Sequence, residues 1–155
     1  MNMITLTVVS AFAMGAPIPP KYTGTGANLS PPLSWSQAPT NAQSIAILCD
    51  DPDAPMGDWV HWVLFNLPPH ITKLDEGVPT QAQLPNGAIQ GRNGSNEIGY
   101  EGPYPPPGKP HRYFFKVYAL DIKLALTSAA RKTDLLKAMQ GHILAQGQLM
   151  GTFQR

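Results

Sequence analysis

The sequence lacks several features that mark common protein classes. It contains a single cysteine, Cys49, among 155 residues. One cysteine excludes an internal disulfide and a metal site built from several thiolates. Cys49 directly follows the apolar run 44–48, so we interpret it as a core residue rather than a reactive thiol.

Charge is also scarce. Charged residues make up 14% of the chain, and 11 lysines and arginines against 10 aspartates and glutamates leave a net charge of +1. The basic residues form no run. A chain with so little excess charge carries no electrostatic footprint for nucleic acid, and we therefore exclude a nucleic-acid partner.

Long hydrophobic runs are missing as well. No apolar stretch reaches the roughly 20 residues that a membrane-spanning helix needs, so we expect no membrane span. Residues 6–16 are apolar and small, as in a signal peptide, but no Lys or Arg precedes them, since the first is Lys21. Thr5, Thr7 and Ser10 give this region the alternation of a strand. We predict a first strand here and a cytoplasmic location.

The motifs of the common enzyme classes are absent too. The chain has no H-E-x-x-H pair, no G-x-S-x-G elbow, no phosphate-binding G-x-x-x-x-G-K-[ST] loop and no G-x-G-x-x-G fingerprint. Nothing singles out a nucleophile. These absences favour a binding protein without a metal or other cofactor over an enzyme.

What the chain has in abundance is proline and glycine, with 17 and 14 residues. They cluster between strand-like runs and follow no repeat, which excludes a collagen-like chain. We predict one mainly β domain over residues 1–155 with long, stiff loops. The predicted strands are residues 3–9, 44–49, 59–67, 112–120 and 149–153. Apolar residues at helical spacing predict one helix over residues 133–145.

Two stiff loops, each next to a strand with a histidine, form the candidate site. Asp51 and Asp53 lie in Asp-Pro-Asp-Ala-Pro, where the prolines restrict the backbone. Strand alternation places His61 on one face with Trp59, Val63 and Phe65, and places His111 with Tyr113 and Phe115. Each imidazole needs a partner for its nitrogens, and an aspartate would fix its tautomer. Either histidine taken alone is more often structural. Two histidines beside two rigid loops favour a binding site.

These segments resemble the phosphatidylethanolamine-binding protein family, also called Raf-kinase-inhibitor-like proteins, and in particular its short prokaryotic branch. The likeness covers nearly the whole chain. It is carried by PIPPKY (17–22), NLSPPLSW (28–35), DPDAP (51–55), WVHWVLFN (59–66), GYEGP (99–103), HRYFFKVY (111–118), GHILA (141–145) and GTF (151–153).

The resemblance implies a β-sandwich-like fold with a large central antiparallel sheet and a small surface pocket for a small anion or a phosphorylated headgroup. It implies a cis peptide at Asp51–Pro52, a pocket left open by the lack of a C-terminal helical extension, and a homodimer in some relatives. The pocket residues that carry over are Asp51, Asp53, Trp59, His61, Gly102, Pro103, His111 and Tyr113.

Two aspartates beside an anion are unfavourable unless their charge is offset. We therefore expect a protonated histidine, or a proton shared between an aspartate and the ligand, and weaker binding as pH rises. Two alternatives stay open. One is an inhibitor of a protease or kinase whose contact surface lies in residues 70–98. The other is a hydrolytic or metal-dependent enzyme that uses the same four Asp and His residues.

Overall fold

Two β-sheets form the framework of the protein in this computed structural model, which describes residues 4–155. The strands in chain order are β1 (Ile4–Thr5), β2 (Val8–Ser10), β3 (Leu33–Trp35), β4 (Ser44–Asp51), β5 (Trp59–Leu67), β6 (Lys73–Leu74), β7 (Ile89–Gln90), β8 (His111–Leu120) and β9 (Ile143–Phe153). The α-helix α1 (Lys132–Met139) lies between β8 and β9, and a short 3-10 turn (Pro20–Tyr22) follows β2.

The larger sheet has six strands in the order β1-β9-β8-β4-β5-β7, and the smaller has the order β2-β3-β6. Neighbouring strands run antiparallel except β1 and β9, which pair in parallel. This confirms the predicted mainly β fold with a large central sheet. The parallel β1–β9 edge makes that sheet mixed rather than wholly antiparallel.

Strand β4 lies at the centre of the core. All eight of its residues are buried, as expected of a strand covered on both faces. One face of the large sheet packs against the small sheet, including Leu33 and Trp35, and the other packs against α1 through Leu135 and Met139. At one edge of these three layers, the C-terminal end of β4 and the N-terminal ends of β5 and β8 remain open.

The prediction of one continuous first strand over residues 3–9 is wrong. Met3 lies outside the described residues, and the rest divides into β1 and β2, which belong to different sheets. Ile4 and Thr5 pair with β9, whereas Val8–Ser10 pair with β3. The two halves find partners in distant parts of the chain, so their continuous alternation breaks between them.

The predicted helix is correct at its start but extends too far. Helix α1 ends at Met139, and Gly141 follows with φ +82°, a conformation that ends helices. From Ile143 onward the chain forms β9, which pairs with β8 along its whole length. The hydrogen bonds of this long strand pair outweigh the weak helical preference of a few apolar residues at helical spacing. At eight residues, α1 is the longest helix of residues 4–155 and falls well short of membrane-spanning length.

Ion pairs fasten α1 to the end of β4. Asp50 is 2% exposed, and its carboxylate lies 2.7 Å from Lys132 Nζ and 3.2 Å from Lys116 Nζ. Burial alone would raise the pKa of Asp50, but the two ammonium groups outweigh it and lower the pKa. Because neighbouring residues of a strand face opposite ways, Asp50 points toward α1 and Asp51 points away from it.

Candidate functional site

A β-bulge at His61 shapes the site. Val60 pairs with Asp50, and Trp62 pairs with the preceding residue Cys49, so His61 is the extra residue between them. A bulge turns two consecutive side chains of one strand toward the same face. His61 and Trp62 therefore both point away from α1.

The bulge corrects the predicted face of His61. Val63 and Phe65 belong to the core cluster on the α1 side, and His61 does not share their face. Trp59 does share its face, as predicted, because the bulge lies after it. The His61 ring instead meets Tyr113 of β8 edge to face, with centroids 5.2 Å apart. Without the extra residue, strand alternation would place His61 on the α1 side of the sheet, together with Val63 and Phe65.

An open cleft of about 530 Å³ lies where the ends of β4, β5 and β8 meet two loops. Six of the eight predicted site residues line it: Asp51, Trp59, His61, Gly102, His111 and Tyr113. A volume of this size suits a small organic ligand and exceeds what a lone inorganic anion fills. The structure thus brings together segments some fifty residues apart.

The buried Asp51 and the half-buried His111 form a pair at the floor of the cleft. His111 Nδ1 lies 2.7 Å from Asp51 Oδ2, and the two side chains are only 12% and 4% exposed. Because a carboxylate oxygen accepts, Nδ1 carries the proton. The other oxygen of Asp51 accepts from the backbone N–H of Asp53 at 2.7 Å. Nε2 of His111 has no hydrogen-bond partner within residues 4–155.

His61 has a matching arrangement with a different partner. Its Nδ1 donates to the backbone carbonyl of Glu101, whose own N–H donates to the His61 carbonyl at 2.9 Å. Burial lowers the pKa of His61, against an opposing effect of the Glu101 carbonyl. The imidazole is thereby held neutral, with Nε2 as an acceptor. Within the described chain this Nε2 has no partner either.

Tyr113 lies between the two imidazoles. Its ring stacks near that of His111, with centroids 6.5 Å apart, and touches His61 edge to face. The side chain is almost wholly buried. Burial, followed by the charge of Asp51, raises the pKa of the phenol, so Tyr113 remains a neutral hydroxyl.

Asp53 does not line the cleft. It joins the Asp-Pro-Asp-Ala-Pro loop to β8. Its carboxylate binds the Arg112 guanidinium through two hydrogen bonds of 2.9 Å and accepts the Arg112 backbone N–H at the same distance. Hydrogen bonding from the Arg112 side chain lowers the pKa of Asp53 to about 2. Asp53 therefore sets the position of the strand end that carries His111.

Replacing Asp53 by asparagine is expected to reduce stability at neutral pH but not near pH 2. The folded pKa of about 2 lies below the unfolded value of ~3.9, so the carboxylate stabilises the fold above that value and loses its effect as pH falls. The difference in unfolding free energy between wild type and Asp53→Asn should shrink between about pH 4 and pH 2. Urea titrations across this range measure it. Asp75→Asn, at an exposed position, is the control. A difference that does not change with pH would contradict the ion-pair account.

Gly102 and Pro103 hold the two rim loops together. The Gly102 N–H donates to Asn28 Oδ1 at 2.8 Å, and the Pro103 carbonyl accepts from the Gly24 N–H at 2.8 Å. A Cβ on Gly102 would lie 2.6 Å from the Tyr22 carbonyl oxygen, so only glycine permits this approach. Pro103 is buried and does not line the cleft. The Gly102 N–H is already bonded to Asn28 and is therefore not free for a ligand oxygen.

Several cleft residues escape the sequence prediction: Gly24, Asn28, Ala54, Pro55, Met56, Glu101, Tyr104, Pro105 and Pro106. Met56 is 95% exposed, and with Trp59 and Tyr104 it forms an apolar rim above the polar floor. Glu101 lies in the Gly-Tyr-Glu-Gly-Pro motif, so its position next to Gly102 is the one local signal for this group. Asn28 is found only through its contact with a residue 74 positions away.

Charge in the cleft is unusual for an anion site. Among the lining residues, Asp51 and Glu101 bear carboxylates, and no lysine or arginine is present. Residues 4–155 also contain no group of three or more His, Cys, Asp or Glu side chains placed to hold a metal ion. Cys49 is fully buried, and burial raises the pKa of its thiol.

Comparison with known proteins identifies the family. The model of the phosphatidylethanolamine-binding protein family matches residues 8–154. The chain belongs to the phosphatidylethanolamine-binding protein family. Curated relatives named only UPF0098 protein include one from Methanothermobacter thermautotrophicus, 53% identical over 89% of this chain and 91% of its own. Another, from Chlamydia muridarum, is 47% identical over 94% of this chain and 95% of its own.

Solved structures of family members share the fold. A putative phosphatidylethanolamine-binding protein homolog from Chlamydia trachomatis superposes with a TM-score of 0.88 at 43% identity, covering 97% of this chain and 98% of its own. Escherichia coli YbcL gives 0.89 at 31% identity with the same coverage. The predicted family resemblance and fold class are confirmed. The implied cis peptide is not found, since Asp51–Pro52 and all other peptide bonds of residues 4–155 are trans.

Proposed function

We propose that the cleft binds a small phosphate-bearing anion, either free or as the headgroup of a larger molecule. The observation that carries the proposal is the convergence of Asp51, His61, His111 and Tyr113, from three strands, on one cleft. The Asp51–His111 and His61–Glu101 hydrogen bonds fix both imidazole rings, so these two rings lose little freedom on binding.

The contacts of the two histidines support different roles for them in the proposed binding. Because burial lowers the pKa of His61, this ring is an acceptor at neutral pH. The donor role falls to His111, which we propose receives a proton on Nε2 when the anion binds, while its Nδ1–H stays on Asp51 Oδ2 at 2.7 Å. Loss of that proton removes the only cationic group of the cleft floor. Affinity for phosphate should therefore fall as pH rises.

The apolar rim supports a ligand that has more than an anionic head. Met56, Trp59 and Tyr104 surround the opening, and they are among the most exposed large apolar side chains of residues 4–155. Exposed apolar groups around a polar floor fit an amphipathic ligand. Binding is proposed rather than catalysis, because the lining residues include no serine, threonine or cysteine nucleophile.

Calorimetric titration with phosphate and phosphoethanolamine from pH 5 to 9 tests the proposal. We expect saturable binding to one site, weakening as pH rises, and its loss in the His61→Ala/His111→Ala double variant. Binding that survives this double variant with unchanged affinity, or that strengthens at high pH, would refute the proposed site.

A protein partner, a protease or a kinase, is the second candidate, and the cleft rim is a further contact surface beside the expected residues 70–98. The exposed large apolar side chains of the described chain include none in residues 70–98, whereas three lie on the cleft rim. The three rim side chains support the rim as a contact surface for a protease or kinase target. Inhibition retained in the double histidine variant but lost in Met56→Asp would favour this function.

A further inference from the structure

A second cavity lies at the opposite end of β4 and β5 from the cleft. It has a volume of about 570 Å³ and is lined by Trp35, by residues 37–40 and 42, which precede β4, and by residues 69, 70 and 72, which follow β5. The cleft instead adjoins the C-terminal end of β4 and the N-terminal end of β5. We call this second space the Trp35 cavity. Since the length of two strands separates it from the cleft, a ligand in one does not occupy the other.

The Trp35 indole N–H is a buried donor that has no acceptor within residues 4–155. The side chain is 5% exposed, belongs to the core cluster between the two sheets and forms part of the cavity wall. A buried donor without an acceptor costs free energy. Phenylalanine would pack in the same place without that cost. Core packing alone therefore does not explain an indole at this position.

The other two tryptophans show what Trp35 lacks. The Trp62 indole donates to Gln90 Oε1 at 2.8 Å, and the Trp59 indole points to Glu101 Oε2 at 3.5 Å. The backbone N–H of Trp35 is also bonded, to the Thr72 carbonyl at 2.9 Å. The indole N–H is thus the one hydrogen-bonding group of Trp35 that calls for a partner from the cavity.

The lining of the cavity favours an uncharged ligand. Its more buried part is apolar and consists of Ala38, Ala42, Pro39 and Pro69. Its exposed mouth has an amide, a hydroxyl and an imidazole group, from Gln37, Thr40 and His70. No lysine, arginine, aspartate or glutamate is among the lining residues. A charged ligand would lose its water here without gaining an opposite charge.

We propose that the Trp35 cavity is a second binding site, which takes an uncharged organic molecule that presents a carbonyl oxygen to the Trp35 indole N–H. The oxygen accepts the hydrogen bond for which the protein has no acceptor. The apolar body of the ligand packs on the alanine and proline side chains, and the volume is typical of sites for small organic ligands. This site is independent of the anion cleft, so failure of either proposal leaves the other standing.

N-methylpyrrolidone is a suitable probe because it is a small uncharged ring with a strong carbonyl acceptor. Cyclopentanecarboxylate and N,N-dimethylpyrrolidinium are rings of similar size with a negative and a positive charge. Proton–nitrogen correlation NMR at fixed ionic strength follows the indole N–H signals of Trp35, Trp59 and Trp62. We expect N-methylpyrrolidone to shift the Trp35 signal along a saturable curve, with a dissociation constant on the order of 1–10 mM as its small size implies. The charged rings should bind at least about tenfold more weakly.

The signals of the other tryptophans are internal controls. Trp62 is buried and already bonded, so its signal should stay unchanged. Trp59 reports on the cleft, and a shift of its signal alone would place the binding there and overturn the proposal. A Trp35 signal that does not move, or that drifts without saturation, would also overturn it. Equal affinity for the three rings would contradict the uncharged ligand class.

The Trp35→Phe variant keeps an aromatic ring and removes the donor. It assigns the Trp35 signal, and saturation-transfer NMR observed on the probe measures its affinity. We expect the folded variant to bind N-methylpyrrolidone about tenfold more weakly than the wild type, as the loss of one hydrogen bond implies. Unchanged affinity in a folded variant would exclude the donor role of the indole. The wild-type titration decides whether the site exists even if this variant does not fold.

Discussion

A His111→Ala variant is expected to bind phosphate about ten- to a hundredfold more weakly than the wild type, as the loss of a charge-assisted hydrogen bond implies. The substitution removes the ring that we propose as the hydrogen-bond donor to the anion, together with its bond to Asp51. It also leaves the Asp51 side chain, 4% exposed, without its hydrogen-bond partner on β8. The bare carboxylate would then repel the anion it normally helps to hold.

The chain contains a matched control for this variant. His142 Nδ1 lies 2.8 Å from Asp121 Oδ1 in another His–Asp pair, which is well exposed and remote from the cleft lining. His142→Ala should leave phosphate affinity unchanged. Titration calorimetry on both variants, with circular dichroism to confirm folding, measures the effect. A His111→Ala affinity within twofold of the wild type would exclude the assigned role.

The Trp62→Ala variant is expected to lose about 3–5 kcal/mol of unfolding free energy. Trp62 is fully buried on β5, one residue after the bulge, and packs edge to face on Tyr100 with centroids 5.5 Å apart. Its indole N–H donates to Gln90 Oε1 at 2.8 Å. Truncation leaves a large cavity beneath the cleft and an unpaired oxygen on a buried amide. Both effects add to the loss, which is a large share of the 5–15 kcal/mol typical of a domain.

Trp59→Ala on the same strand is the control. Trp59 is 39% exposed at the cleft rim, and its removal should change the unfolding free energy by about 1 kcal/mol or less. Urea denaturation of the two variants separates core packing from the rim. Equal losses in the two variants would mean that the core does not depend on the buried indole.

Local patterns were sufficient to find the strands that build the site. The predicted strand 59–67 matches β5, and residues 112–120 match β8 within one residue. Both carry enough consecutive apolar residues for burial to decide their structure. The predicted helix failed beyond Met139 because Ile143 also fits a strand, and its pairing with Leu120 of β8 is a long-range contact that spacing does not reveal.

The geometry of the site was less accessible from sequence. Alternation predicts that His61 shares a face with Trp59 and also with Val63. Because of the bulge, His61 shares a face with Trp59 but not with Val63. A bulge depends on the register between two strands, which no local pattern specifies. The sequence likewise does not show that Arg112 binds Asp53, which draws this carboxylate away from the cleft.

Family likeness and physical reasoning contributed different parts of the site. The resemblance supplied the residue set, of which six residues meet at the cleft and two, Asp53 and Pro103, support it from behind. The neutral state of His61 and the hydrogen bond that joins the two rim loops follow only from three-dimensional contacts. They depend on the carbonyl of Glu101 and the amide of Asn28, on two different loops.

Imidazole nitrogen chemical shifts during a phosphate titration test the central claim most directly. The chain has four histidines, His61, His70, His111 and His142, so two report on the cleft and two act as internal controls. We predict that Nε2 of both cleft histidines shifts along curves with one shared dissociation constant, while the other two stay unchanged. Unshifted cleft signals, or two different constants for His61 and His111, would contradict a single anion held between them.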